Sequence, residues 1–216
     1  MKKQNSVGGG IIGNSNNNAS SSHHGIDVLM LGLQGSGKSF LIKQMKSRYR
    51  RKNRDDEIIT DFNDDEDYLQ NNDYLTFYDG LPTNGVNLDE LIIGGKKKSK
   101  KIKLREVGGG IILTWHRYLD ECKVVVFVID SSCTIQLSSS CIELLNLLSI
   151  HGEHKPFIVV LNKRDAPSVF SSEIFQHFIK WNNVKENCKH IELIEVSALT
   201  GQNLHRLIES MDILIG

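Results

Sequence analysis

Eight residues, Gly32-Leu33-Gln34-Gly35-Ser36-Gly37-Lys38-Ser39, constrain this chain more than any other stretch. They fit the pattern GxxxxGK[ST], in which small residues let the backbone curl round an anion and aim its N–H groups inward. The context is right for that job. IDVLMLGL (26–33) reads as a short buried strand, and residues 38–49 have helical spacing, with Phe40, Leu41 and Met45 facing one way. A helix starting at Lys38 adds its positive dipole end to the loop. Lys38 is then placed to reach β- and γ-phosphates, and the Ser39 hydroxyl to ligate Mg²⁺. A chance match in 216 residues is roughly a one per cent event from average residue frequencies. Phe40, the first residue past the motif, completes the candidate phosphate-side contacts, and Lys38 is also a candidate catalytic residue.

From residue 86 onward the pattern alternates regularly. VNLDELIIG and KIKLREVG read as two strands joined by a lysine-rich turn, and 113–120 as a short helix. KVVVFVID (123–130) is almost continuously apolar, as expected of a strand covered on both faces. A helix at about 135–150 follows, with Cys141, Leu144, Leu145 and Leu148 on one face. Then come strand 156–162, helix 171–186, strand 190–197 and helix 203–214. Alternation of this kind implies an α/β domain with a largely parallel sheet between helix layers, plus one antiparallel pairing.

Composition sets the outer bounds. Lys and Arg number 26 against 26 Asp and Glu, which disfavours a globally basic nucleic-acid binder and an acidic disordered chain. No apolar run approaches the ~20 residues that span a bilayer. The polar start, Met1-Lys2-Lys3-Gln4-Asn5, has no leader-like apolar region, so a cytoplasmic location is expected. Cys122, Cys133, Cys141 and Cys188 form no CxxC pair and read as reduced packing residues.

The zero balance averages over uneven segments. Residues 4–25 carry no charged residue, and 15 of the 22 are Gly, Ser or Asn, so 1–25 is expected to be a disordered tail ahead of a domain at 26–216. Residues 46–54 hold six basic residues and no acid, whereas 55–79 hold ten acids and no Lys or Arg. The region of about 48–80 is therefore expected to be a charged, flexible insertion, either simply solvated or binding a partner.

A phosphate loop does not choose a base. Asn162-Lys163-Arg164-Asp165, at the carboxyl end of a strand, resembles the NKxD element of guanine-nucleotide-binding proteins. On that resemblance Asp165 accepts hydrogen bonds from the guanine ring N–H and exocyclic amine, Lys163 lies along the base and Asn162 braces the loop. Charged hydrogen bonds of this kind are worth about 1.5–3 kcal/mol each, and adenine cannot make them. Ser197-Ala198-Leu199 resembles the companion element whose backbone N–H meets the guanine oxygen.

Taken with the switch segments, residues 26–45 and 82–216 resemble the ADP-ribosylation factor (Arf) family of small GTPases. Pro82-Thr83-Asn84-Gly85-Val86-Asn87 resembles its PTxGxN switch I, so Thr83 is implied to supply a hydroxyl to Mg²⁺ and a backbone N–H to the γ-phosphate, which makes it, with Lys38, a candidate catalytic residue. Glu106-Val107-Gly108-Gly109 followed by Trp115-His116-Arg117-Tyr118 resembles its DxGGQ…WRxY switch II, which places Gly109 at the nucleotide. The resemblance implies a P-loop G domain: a six-stranded, mostly parallel sheet with one antiparallel edge strand and helices on both faces. It also implies GTP/GDP and Mg²⁺ as cofactors, effectors at both switches, an exchange factor and an activating protein.

Three departures qualify the implied activity. Glu106 stands where the family has Asp, and Gly110 where it has the Gln that orients the attacking water; the step from Gly109 to Trp115 is also shorter. Without that side chain, intrinsic hydrolysis should be very slow, leaving two readings open: a regulatory GTPase, or a non-hydrolysing guanine-nucleotide-binding scaffold. Glu106 as a substitute base is a further option. Lys2 occupies the position of the acylated glycine and Met211–Gly216 holds no prenylatable Cys, so weak or no direct membrane binding, by a monomer, is expected. The lysines at 96, 97, 98, 100, 101 and 103 read either as a solvated hairpin tip or as a patch for anionic lipid, placing the chain peripherally at a membrane.

Overall fold

The computed structural model describes residues 25–52, 81–95 and 98–216. The expected tail and most of the expected insertion lie outside them, as do Lys96 and Lys97. Six strands form one sheet in the order β2-β3-β1-β4-β5-β6. They are β1 (Ile26–Leu31), β2 (Val86–Gly95), β3 (Lys98–Val107), β4 (Cys122–Asp130), β5 (Pro156–Asn162) and β6 (His190–Glu195). Only β2 runs antiparallel, pairing with β3 from Val86↔Val107 to Gly95↔Lys98. All other pairings are parallel.

The apolar run in β4 is explained by its two neighbours. Val125, Phe127 and Ile129 face one core, Val124, Val126 and Val128 the other. Helix α1 (Lys38–Lys52) and the C-terminal helix α6 (Leu204–Ile215) cover the second face, through Leu41, Ile42 and Met45 on α1 and Leu207, Ile208 and Met211 on α6. On the first face lie α2 (His116–Leu119), α3 (Thr134–His151), α4 (Ser172–Phe178) and α5 (Trp181–Glu186).

Several boundaries differ from the sequence reading. α1 continues to Lys52, into the start of the expected insertion. The short helix expected at 113–120 is a 3₁₀ turn over Ile112–Thr114 followed by the single turn of α2. The helix expected over 171–186 is two, because Lys180 adopts φ 54° and redirects the chain. That bend lets Phe175 and Ile179 bury while Trp181 and Val184 pack on the same core. On α3 the buried stripe is Leu137, Ser140, Cys141, Leu144, Leu147 and Leu148; Leu145, expected to share that face, points outward. The hairpin lysines are partly committed: Lys100 pairs with Asp212 at 2.6 Å and Lys101 with Glu90 at 3.3 Å.

No disulfide joins the four cysteines. Burial pushes the Cys122 and Cys141 thiols up to about 11, which suits packing rather than reactivity. Among the described residues no helix is long and apolar enough to cross a membrane.

Candidate functional site

Parallel strands end together, so β1, β3, β4, β5 and β6 release their following loops at one edge of the sheet. β2 begins there too, because Val86 pairs with Val107. Segments from five places in the sequence therefore meet: the loop after β1, Leu81–Thr83, Glu106–Gly109, Asn162–Asp165 and Ala198–Leu199. They line a cavity of about 530 Å³, within the usual range for a small-molecule site.

At one end is the glycine loop. Gly37 has φ 89°, and a Cβ there would fall 2.5 Å from Asn162 Nδ2, so glycine is required on both counts. The buried Lys38 ammonium donates to the carbonyls of Gly32 at 2.9 Å and Leu33 at 3.1 Å. Burial pushes the Lys38 ammonium down to about 8, and the nearby Glu106 carboxylate opposes the shift. A buried cation short of full stabilisation is suited to an incoming polyanion. Gly109 closes this end: a Cβ on it would meet the Gln34 backbone nitrogen at 2.2 Å, so the segment after β3 lies directly on the loop.

Three oxygens converge beside Lys38. The Ser39 and Thr83 hydroxyls lie 3.0 Å apart, and Oε1 of buried Glu106 accepts from Ser39 at 2.5 Å and from Thr83 at 3.1 Å. Two hydroxyls and a carboxylate are hard donors, the set that suits Mg²⁺. The fit is chemical and spatial together.

The other end of the cavity is heavily cross-bonded. Asn162 sends Nδ2 to the Ser36 carbonyl at 2.9 Å and accepts from the Ala198 N–H at 3.1 Å, joining three loops with one side chain. Asp165 accepts from the Ser197 hydroxyl, whose oxygen also receives the Thr200 N–H at 3.0 Å. Lys163 sits at φ 65°, a left-handed conformation that costs a non-glycine residue about 1–3 kcal/mol. It is held by its ammonium, which donates to Asp130 at 2.7 Å. Burial pushes the Asp130 carboxyl up, but the bonds from Lys163 and Ser132 outweigh it and hold the group below its ordinary range. Arg164 anchors the turn from outside, through the Phe170 carbonyl at 2.7 Å and Glu195 at 3.1 Å.

Of the sequence-predicted set, Gln34, Gly35, Gly37, Lys38, Ser39, Phe40, Thr83, Gly109, Asn162, Lys163, Asp165, Ala198 and Leu199 line the cavity. Gly32, Leu33, Ser36 and Ser197 stand behind the lining, the first two as acceptors for Lys38 and the last as donor to Asp165. The Ser36 hydroxyl is buried with no hydrogen-bond partner among the described residues. Gly110 is exposed, and a Cβ there would meet nothing within 4 Å. Sequence reasoning passed over Leu81 in the lining and Asp130 beneath Lys163. Asp130 carries a usable signal, since it ends an otherwise apolar strand level with Asn162.

Comparison with known proteins agrees with this geometry. The model of the ADP-ribosylation factor family matches residues 67–215, a stretch that begins after the glycine loop. ADP-ribosylation factor-like protein 16 of Homo sapiens is 30% identical over 84% of this chain and 81% of its own length. ADP-ribosylation factor-like protein 2 of Dictyostelium discoideum is 28% identical over 84% and 83% respectively. Among solved structures, the Arl6 BBS3 small GTPase from Trypanosoma brucei with bound nucleotide analogue GppNp superposes with a TM-score of 0.62. It covers 88% of this chain and 96% of that one at 18% identity, a likeness of fold. The glycine loop, the cross-bonded Asn162 turn and the match over most of the chain lead to one statement: this chain belongs to the ADP-ribosylation factor family of small GTPases, with the guanine-nucleotide-binding, regulatory role that membership carries.

Proposed function

We propose that the 530 Å³ cavity takes GTP or GDP with Mg²⁺, and that the nucleotide state sets how residues 81–86 and 106–119 are presented to partner proteins. The observation that carries this reading is Asn162, whose one amide holds the phosphate loop and the Ala198 loop in register. Asp165 then reads the guanine edge, the Lys163 stem covers one face of the base, and the Ala198–Leu199 backbone meets the ring oxygen. Residues Gly32 to Phe40 wrap the phosphates, with Lys38 on the β- and γ-groups. Ser39, Thr83 and Glu106 would hold Mg²⁺, which when bound offsets charge on the phosphate oxygens.

Leu81 is 70% exposed and Leu113 95% exposed, apolar side chains on the two segments that flank the γ-phosphate end. They support an effector surface at the switches. An exchange factor and an activating protein complete the cycle, and a monomer at the cytoplasmic face, with weak or no direct membrane binding, is the state in which we place it. Competition between fluorescent GDP and unlabelled GTP, GDP and ATP tests the reading. Guanine nucleotides should displace the probe and ATP should fail to; displacement by ATP at equal concentration overturns it.

Gly110 favours a second reading for the turnover step. Its exposed position carries no side chain that could orient a water, so intrinsic hydrolysis is very slow and the chain acts as a long-lived GTP-bound adaptor unless another protein supplies the missing group. Single-turnover GTP hydrolysis with and without cell extract separates the two. Acceleration by extract assigns a regulated GTPase, and its absence assigns the adaptor.

A further inference from the structure

We infer that Glu106 is a direct, third protein ligand of the nucleotide-bound Mg²⁺, where it acts as part of the metal site and not through an intervening water; this rests on the reading of the cavity as a Mg²⁺–GTP site. The grounds are distances among oxygens. Mg²⁺ demands near-octahedral oxygens at about 2.0–2.1 Å, so neighbouring ligands lie about 2.9 Å apart. The Ser39 and Thr83 hydroxyl oxygens are 3.0 Å apart and Thr83 is 3.1 Å from Glu106 Oε1, both close to that edge length. The third side, Ser39 to Glu106, is 2.5 Å, a charge-assisted hydrogen bond that opens slightly if a cation takes the centre of the triangle. Three oxygens so arranged outline one face of an octahedron.

The carboxylate has little freedom to serve otherwise. Glu106 is 2% exposed, and Val107 beside it is locked opposite Val86. Met30 of the central strand β1 pairs directly with Glu106, so its backbone is fixed by the sheet on both sides. The next positive charge is Lys38, whose ammonium is already bonded to the Gly32 and Leu33 carbonyls. Among the described residues the hydrogen-bond partners of the Glu106 carboxylate are two hydroxyls, Ser39 and Thr83, so its oxygen stays available to a cation.

The consequence is a tighter and drier metal site. Replacing a bound water by a carboxylate adds one negative ligand and removes one exchangeable water. Glu106→Asp, one methylene shorter, withdraws the carboxylate and is the matched control. Both proteins are loaded with Mn²⁺ and a non-hydrolysable GTP analogue in water labelled with a magnetic oxygen isotope, and metal-bound waters are counted by electron paramagnetic resonance. The wild type should show one fewer bound water than Glu106→Asp. The Mg²⁺ concentration that half-protects GDP against release should also be lower in the wild type by about tenfold, in line with the effect of altering groups around a metal. Equal water counts with equal Mg²⁺ requirements overturn the direct ligand while leaving nucleotide binding intact. Wild-type protein that holds the GTP analogue yet leaves the Mn²⁺ spectrum unchanged overturns the Mg²⁺–GTP reading itself. Fluorescent-nucleotide binding measured on the same samples establishes that each variant is folded and loaded.

Discussion

The two ends of the cavity are built to different standards. At the Asp165 end nearly every polar group has a protein partner: Asn162 spans two loops, Ser197 holds Asp165, and Lys163 is pinned by Asp130. At the far end the backbone is just as well placed, with Gly109 against Gln34, but the next residue, Gly110, presents nothing to the cavity. Binding and chemistry are thus separable here. A prebuilt end of this kind would lower the cost of ordering on binding, and under the proposed reading the end without a water-orienting group leaves phosphoryl transfer unassisted.

The largest effect should come from breaking the well-built end. Asn162→Ala removes the bonds to the Ser36 carbonyl and the Ala198 N–H, leaving both buried groups unmatched. At about 1–3 kcal/mol for each orphaned group, GDP affinity should fall by on the order of 100-fold or more. Fluorescent-GDP titration measures it; a loss under tenfold would mean the loops hold their register without Asn162.

The next effect comes from repairing the other end. Gly110 has open space where a Cβ would go and is not among the positive-φ glycines, so Gly110→Gln needs no backbone change. If the missing side chain limits hydrolysis, single-turnover hydrolysis should rise by about tenfold or more, with GDP affinity unaltered. An unchanged rate would place the limitation elsewhere in the segment after β3, where the 3₁₀ turn and exposed Leu113 sit.

How far the sequence could reveal this contrast depends on the range of the interactions involved. The glycine loop was legible because its requirements are local: small residues, a lysine and a hydroxyl at fixed spacing between a strand and a helix. The sheet was legible because β4 and β5 are apolar on both faces, which only a covered central strand requires. Asp130 was legible only as an acid closing an apolar strand; its role beneath Lys163 depends on β4 and β5 ending level, a register that no local pattern encodes. The split of one expected helix at Lys180 was equally hidden. No glycine or proline marks it, and the bend follows from where Ile179 and Trp181 must pack. The departure at Glu106 could be read as a letter, but its contacts with Ser39 and Thr83 join residues 67 and 23 positions away.

The smallest expected effect concerns a residue that ties the Asp165 end of the cavity to α1. Arg48, near the end of that helix, donates to the Thr200 carbonyl and lies over Gly201. Gly201 has φ 87°, and a Cβ there would fall 1.7 Å from the guanidinium carbon, so the glycine is what lets the arginine in. Thr200 in turn donates its N–H to Ser197, the residue that holds Asp165. Arg48 is therefore a positioning residue three hydrogen bonds behind Asp165, the carboxylate proposed to read guanine. Arg48→Ala should speed GDP release by roughly three- to tenfold, the equivalent of about one hydrogen bond. Discrimination between guanine and adenine nucleotides should narrow, while Mg²⁺ dependence stays as it was. Arg48→Lys keeps the charge but loses the planar fork, and should recover only part of the effect. Release rates that match wild type in both variants would show that Ser197 and Asn162 position Asp165 by themselves, and that α1 contributes to the fold alone.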